Sequence, residues 1–94
     1  MRTRQIRVIG RVQGVGYRYA LRDEAVRRGV TGWVRNCADG SVQALLQGDD
    51  GSLERLVAWA RRGPRAARVD EVRDEAPLAQ DQRPHDGFEI RPSV

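Results

Sequence analysis

Gly10-Arg11-Val12-Gln13-Gly14-Val15-Gly16-Tyr17-Arg18 is the stretch at which the hydrophobic period of the chain changes. Before it, Ile6, Val8 and Val12 share one side of an extended chain, with Gln5, Arg7 and Arg11 on the other. That period of two predicts a half-buried strand over Gln5–Val12. After it, Tyr17, Leu21 and Ala25 recur every four residues with Ala20 beside them, which predicts a helix over Arg18–Arg28. Gln13-Gly14-Val15-Gly16 is too rich in glycine for a helix interior and reads as the connecting loop.

Working outward, Gly29 suits the position just past the helix, with Val30 contacting the last turn. Val30, Gly32 and Val34 then alternate against Thr31, Trp33 and Arg35. Asp39-Gly40 signals a tight turn, and Val42, Ala44 and Leu46 alternate against Gln43 and Gln47, completing a hairpin. Asp49–Ser52 is a helix start, Leu53, Leu56, Val57 and Ala60 mark a second helix, and Gly63-Pro64 stops it. Val69–Pro77 reads as a strand, bulged because Val69 and Val72 stand three apart. A polar loop, 78–87, leads to a short strand at Phe88 and Ile90 that Pro92 ends. The order β-α-β-β-α-β plus a terminal strand predicts an α+β domain over residues 1–94. Two helices lie on one antiparallel sheet, the ferredoxin-like split βαβ sandwich.

Composition bounds the function. At 94 residues, 39% hydrophobic and 32% charged, the chain can build one core and no second domain. No apolar run approaches the roughly 20 residues of a membrane helix. The N-terminus lacks the apolar stretch of a signal peptide, so the expected location is cytoplasmic and the expected state a monomer. A single cysteine, Cys37, excludes a disulfide framework and a thiolate zinc cluster. All seventeen basic residues are arginine. Nine of them face three acidic residues in 1–48, a net +6, against eight and ten in 49–94, a net −2. A basic first half points to an anionic partner.

The glycine-rich turn offers successive backbone N–H groups to an anion, and the helix start adds unpaired donors and positive partial charge. Arg18 stands there with a fork suited to two oxygens of one phosphate. It is no Walker loop, since no Gly-Lys-Ser/Thr follows, and Tyr19 replaces the third glycine of a dinucleotide fingerprint. Asn36 ends the second strand, and its amide offers a donor and an acceptor, enough to hold a water; a turn asparagine bonding its own backbone is the plainer alternative. Neither stretch centres on a histidine or carboxylate, so no general acid is in view. A carboxylate leaving group needs none, because its conjugate acid has a pKa of about 4.

The two stretches together resemble the acylphosphatase family. Gly10 to Arg18 is similar to its first signature; Gly32-Trp33-Val34-Arg35-Asn36, then Gly40, Val42 and Gly48, to its second. The likeness continues through Gly63-Pro64, Arg68-Val69-Asp70 and Gly87-Phe88-Glu89-Ile90. It implies hydrolysis of small acyl phosphates to a carboxylate and inorganic phosphate, without metal, cofactor or covalent intermediate. It further implies that the loop Gln13, Gly14, Val15, Gly16, Tyr17 and Arg18 binds the phosphate and that Asn36 positions the water, Arg18 and Asn36 being the catalytic pair. Tyr17 departs from the family's more frequent phenylalanine, and its hydroxyl needs a partner.

The remaining polar residues read as structural. His85, the only histidine, lacks the company of a metal site; Trp59 packs its helix; Asp49-Asp50 cap the second helix; Asp70-Glu71 and Asp74-Glu75 form a solvated strand edge. An RNA-binding module shares the element order but stacks bases on aromatics of the first and third strands, which here have none. A phosphate-sensing domain without activity, or one domain of a larger carbamoyl-phosphate enzyme, would share the fold.

Overall fold

The computed structural model describes residues 1–94. Its elements are β1 (Arg2–Arg11), α1 (Tyr17–Arg27), β2 (Thr31–Asn36), β3 (Val42–Gly48), α2 (Asp50–Arg62), β4 (Arg68–Glu75), a 3₁₀ turn (Ala79–Gln82) and β5 (Phe88–Ile90). The sheet order is β4-β1-β3-β2-β5. β1 pairs antiparallel with β3 and β4, and β2 antiparallel with β3. The fifth strand departs from the expected all-antiparallel sheet: β5 joins parallel to β2, reached by the long connection over residues 76–87.

Because β1 and β2 each run opposite to β3, they run parallel to each other with β3 between them. Arg11 and Asn36, their last residues, therefore reach the same edge of the sheet, and both lead into loops there. Ile6 and Val8, Val34, and Val42, Ala44 and Leu46 form the inner face of the sheet, buried against Tyr17, Leu21 and Ala25 of α1 and Leu53, Leu56, Val57 and Ala60 of α2. α1 ends as expected: the Val30 N–H bonds to the Ala25 carbonyl at 2.9 Å and Gly29 N–H to Val26 at 3.2 Å, the two bonds of a Schellman cap. The bulge is present too. Ile9 pairs with Glu71 and Gly10 with Val69, leaving Asp70 as the extra residue, so Val69 and Val72 both reach the core.

The other face of the sheet is more covered than the alternation suggests. Trp33 and Leu45, register partners there, are buried, as are Gln5, Gln43 and Gln47. Gln47 explains the cover: its amide donates to the Arg83 carbonyl at 2.6 Å and accepts from the His85 N–H at 2.9 Å, fastening the 76–87 connection across the strands. The guanidinium carbons of Arg35 and Arg91 lie 4.6 and 4.9 Å from the centre of the Trp33 ring system. No helix is long and apolar enough to cross a membrane.

Candidate active site

Val12 and Tyr17 are both buried in the core, so the four residues between them must turn within fixed ends. Gly14 and Gly16 do this with φ of 74° and 79°, conformations that side chains rarely adopt. Nothing lies within 4 Å of where a Cβ would stand at either position, so the loop is open to a ligand. Val15 is half-buried against the core and holds the loop down.

α1 begins without help. Gly16 is its N-cap, no side chain bonds the first N–H groups, and no acidic residue lies in the first turn. Those donors and the positive end of the helix dipole are unanswered by protein. α2 is the contrast: the Asp49 carboxylate accepts from the Ser52 N–H at 2.8 Å and Asp50 follows. Those bonds, backbone and side chain of Ser52, hold the Asp49 carboxyl below its ordinary pKa. Arg18, in the first turn of α1, is half-exposed and forms no ion pair.

Two of the expected phosphate-binding residues do something else with their side chains. Gln13 spends both amide protons on the β2–β3 turn, at 2.8 Å to the Cys37 carbonyl and 2.9 Å to that of Ser41. Only its carbonyl oxygen is left, an acceptor that repels an anion. Tyr17 is buried and donates its hydroxyl to the Ala60 carbonyl at 2.7 Å, so only its backbone N–H can face a ligand.

Asn36 stands at the end of β2, half-buried, and the turn Cys37–Ser41 follows. The turn is closed by Cys37 N–H to Ser41 carbonyl at 2.9 Å and Gly40 N–H to Cys37 carbonyl at 3.1 Å. Asp39 accepts from the Ser41 hydroxyl and N–H, which keep its carboxyl below the usual range. Asn36 Oδ1 is buried and accepts no hydrogen bond from the protein. The Gln13 amide grips the residue next to Asn36, so the open loop and the uncapped helix start are tied to the turn that follows Asn36.

Arg7 and Glu75 form a contact that the sequence does not reveal. Glu75, expected on a solvated edge, is half-buried and bonded to Arg7 Nε at 2.6 Å. The pairing of β4 with β1 creates that contact, and no local pattern encodes it. His85 and Trp59 are structural: the His85 ring lies 3.1 Å from the Asp81 carbonyl, and Trp59 packs 5.9 Å from the Tyr17 ring centre. Two surface concavities, one lined by Met1, Arg2, Asp49 and Asp50 and the other by Arg2, Arg4, Asp50, Leu53 and Glu54, lie at the opposite end of β1.

A ferredoxin-like domain with an open glycine loop before an uncapped helix, tied to the turn after a strand-end asparagine, defines a small α+β anion-binding class. The acylphosphatase family model matches residues 4–90, and the chain belongs to that family. An acylphosphatase of Nitrobacter hamburgensis is 50% identical over 94 residues, covering 97% of this chain and 95% of the relative. Solved structures agree. An acylphosphatase from Coxiella burnetii superposes with a TM-score of 0.85 at 31% identity, over 95% of this chain and 90% of that one. The Bacillus subtilis enzyme gives 0.81 at 35%, over 95% and 97%. Acylphosphatases hydrolyse acyl phosphates.

Proposed function

We propose that this chain performs that hydrolysis with Arg18 and Asn36, as a cytoplasmic, metal-independent monomer acting on small acyl phosphates. The observation that carries the reading is the Gln13 amide, which ties the phosphate loop to the turn after Asn36. The phosphoryl oxygens sit on the backbone N–H groups of residues 14–18, with the Arg18 fork closing over two of them. Asn36 Oδ1 accepts a hydrogen bond from the attacking water and aims its oxygen at phosphorus. The new P–O bond forms as the bond to the bridging oxygen breaks. The carboxylate leaves as an anion, and both water protons remain on the phosphate. No group has to protonate the leaving oxygen, so positioning and charge stabilisation suffice. RNA recognition finds little support: the outer face of β1 and β3 carries no aromatic residue to stack on a base, and the 76–87 connection is fastened over Gln47 of β3.

The test is hydrolysis of benzoyl phosphate, with phosphate as competitive inhibitor, by wild type, Arg18→Ala and Asn36→Ala. Arg18→Ala should weaken phosphate binding and slow turnover. Asn36→Ala should lower kcat by about 100-fold or more, as for a positioned polar group, with phosphate affinity near wild type. A folded Asn36→Ala variant of full activity would reduce Asn36 to a turn residue. Activity lost in a chelator and restored by a divalent ion would refute metal independence.

A further inference from the structure

We infer that Arg7, on the face of β1 away from the helices, is a positioning residue for the reaction, holding the turn that carries Asn36. The inference rests on the water-binding role proposed for Asn36.

No protein donor fixes Asn36 Oδ1, so its aim depends on the backbone that bears it. That backbone runs straight into the Cys37–Ser41 turn, which is gripped from two sides. Gln13 holds it from the phosphate loop. Arg7 holds it from the sheet: Nη1 donates to Ser41 Oγ at 2.7 Å and lies 3.5 Å from Asp39 Oδ2.

Arg7 is itself anchored. Its Nε donates to Glu75 Oε2 at 2.6 Å, while the other oxygen of Glu75 accepts from Gln43 at 2.8 Å and Gln5 at 3.1 Å. Gln43 in turn accepts from Arg35 Nε at 2.9 Å, so the network spans β4, β1, β3 and β2. The side chains of Arg7 and Glu75 are only 21% and 26% exposed, unlike the solvent-facing pairs whose geometry water easily disrupts. Arg4 and Asp74, a pair whose arginine lies three residues from Arg7 along β1, make no contact with the turn and provide an internal control. A displacement near 1 Å at a reacting group lowers rate far more than it lowers stability.

The test measures kcat and KM for benzoyl phosphate and Ki for inorganic phosphate. The variants are Arg7→Met, which keeps the aliphatic stem, Ser41→Ala, which removes the Arg7 contact at the turn together with the hydroxyl's bond to Asp39, and Arg4→Met. Each is made alone and in the Asn36→Ala background. Arg7→Met and Ser41→Ala should each lower kcat about tenfold, within the range of coupling between contacting residues. Ki should stay within twofold and Arg4→Met should match wild type. Once Asn36 is alanine, neither change should lower kcat further, because the group they aim is gone. Wild-type kcat in Arg7→Met, a Ki that weakens in step with kcat, or effects that multiply with Asn36→Ala would each overturn the role. If Arg7→Met does not fold, Ser41→Ala decides alone. An inactive Asn36→Ala beside a fully active Arg7→Met defeats only the positioning role; a fully active Asn36→Ala defeats the water assignment on which it rests.

Discussion

The carbonyl of Ala60 has no partner within α2, because the residue four further on is Pro64, which has no N–H. Tyr17 supplies the missing donor at 2.7 Å, and burial pushes its phenol pKa up, so it remains a donor. The hydroxyl that a phenylalanine would lack is thus used. Tyr17→Phe leaves a buried carbonyl unpaired and should cost about 1–3 kcal/mol of stability in urea unfolding. Its kcat and KM should stay within twofold of wild type, since the ring still anchors the loop. Arg18 and Asn36 stand out in the sequence because each lies in a contiguous stretch that resembles a family signature, and the resemblance assigns each a task. Gln13 was legible as a member of the loop but not in its role: the two carbonyls that consume its protons lie 24 and 28 residues away.

Helices α1 and α2 are started by opposite means. α2 is capped by a carboxylate; α1 keeps its first donors free, giving up roughly the 1 kcal/mol a side-chain cap would contribute. The end of α2 supports the start of α1. Gly63 has φ 67° and ψ −173°, a conformation close to glycine-only, and a Cβ there would lie 2.8 Å from Tyr17 Cε2. Gly63→Ala should therefore destabilise the fold by about 2 kcal/mol or more, combining strain with displacement of a buried ring. It should also weaken inhibition by phosphate, because Tyr17 fixes one end of the loop. Between β1 and β4, Glu75 sets an acid limit. Burial disfavours its charged form, but hydrogen bonds from Arg7, Gln43 and Gln5 outweigh this and hold its pKa below the ordinary 4.5. The guanidinium of Arg73 also faces the pair, assisting Glu75 and opposing Arg7. A depressed carboxyl stabilises the fold fully above 4.5 and loses that contribution as the pH falls below it. Melting temperature should drop in that window, and Glu75→Gln should flatten the drop relative to wild type.

Across the whole molecule, the unpaired positive charge collects near the loop. Arg11 ends β1 and Arg18 starts α1, both without an ion-pair partner, and Arg61, Arg62 and Arg65 flank Gly63 at the end of α2; Arg68, the register partner of Arg11, is paired with Asp70. Such a field draws an anionic substrate inward and is screened over about 10 Å at 0.1 M salt. Raising sodium chloride from 10 to 500 mM should lower kcat/KM several-fold while leaving kcat nearly constant. A salt-independent kcat/KM would mean that only the contact arginine, Arg18, matters.

The sequence by itself determined the elements, the inner face of the sheet, the Schellman end of α1, the bulge in β4 and the two motifs with Arg18 and Asn36. All of these are local: periodicity, turn chemistry and caps act over a few residues, and a motif is contiguous. The tertiary structure alone decided the parallel pairing of β5, the burial of Trp33 and Leu45, the fastening of the 76–87 connection to Gln47, the partner of the Tyr17 hydroxyl, and the Glu75–Arg7–Ser41 chain. Each of these depends on which strand or loop lies beside which. A charged residue reads as solvated until a distant partner removes its water, and no spacing along the chain reports that partner.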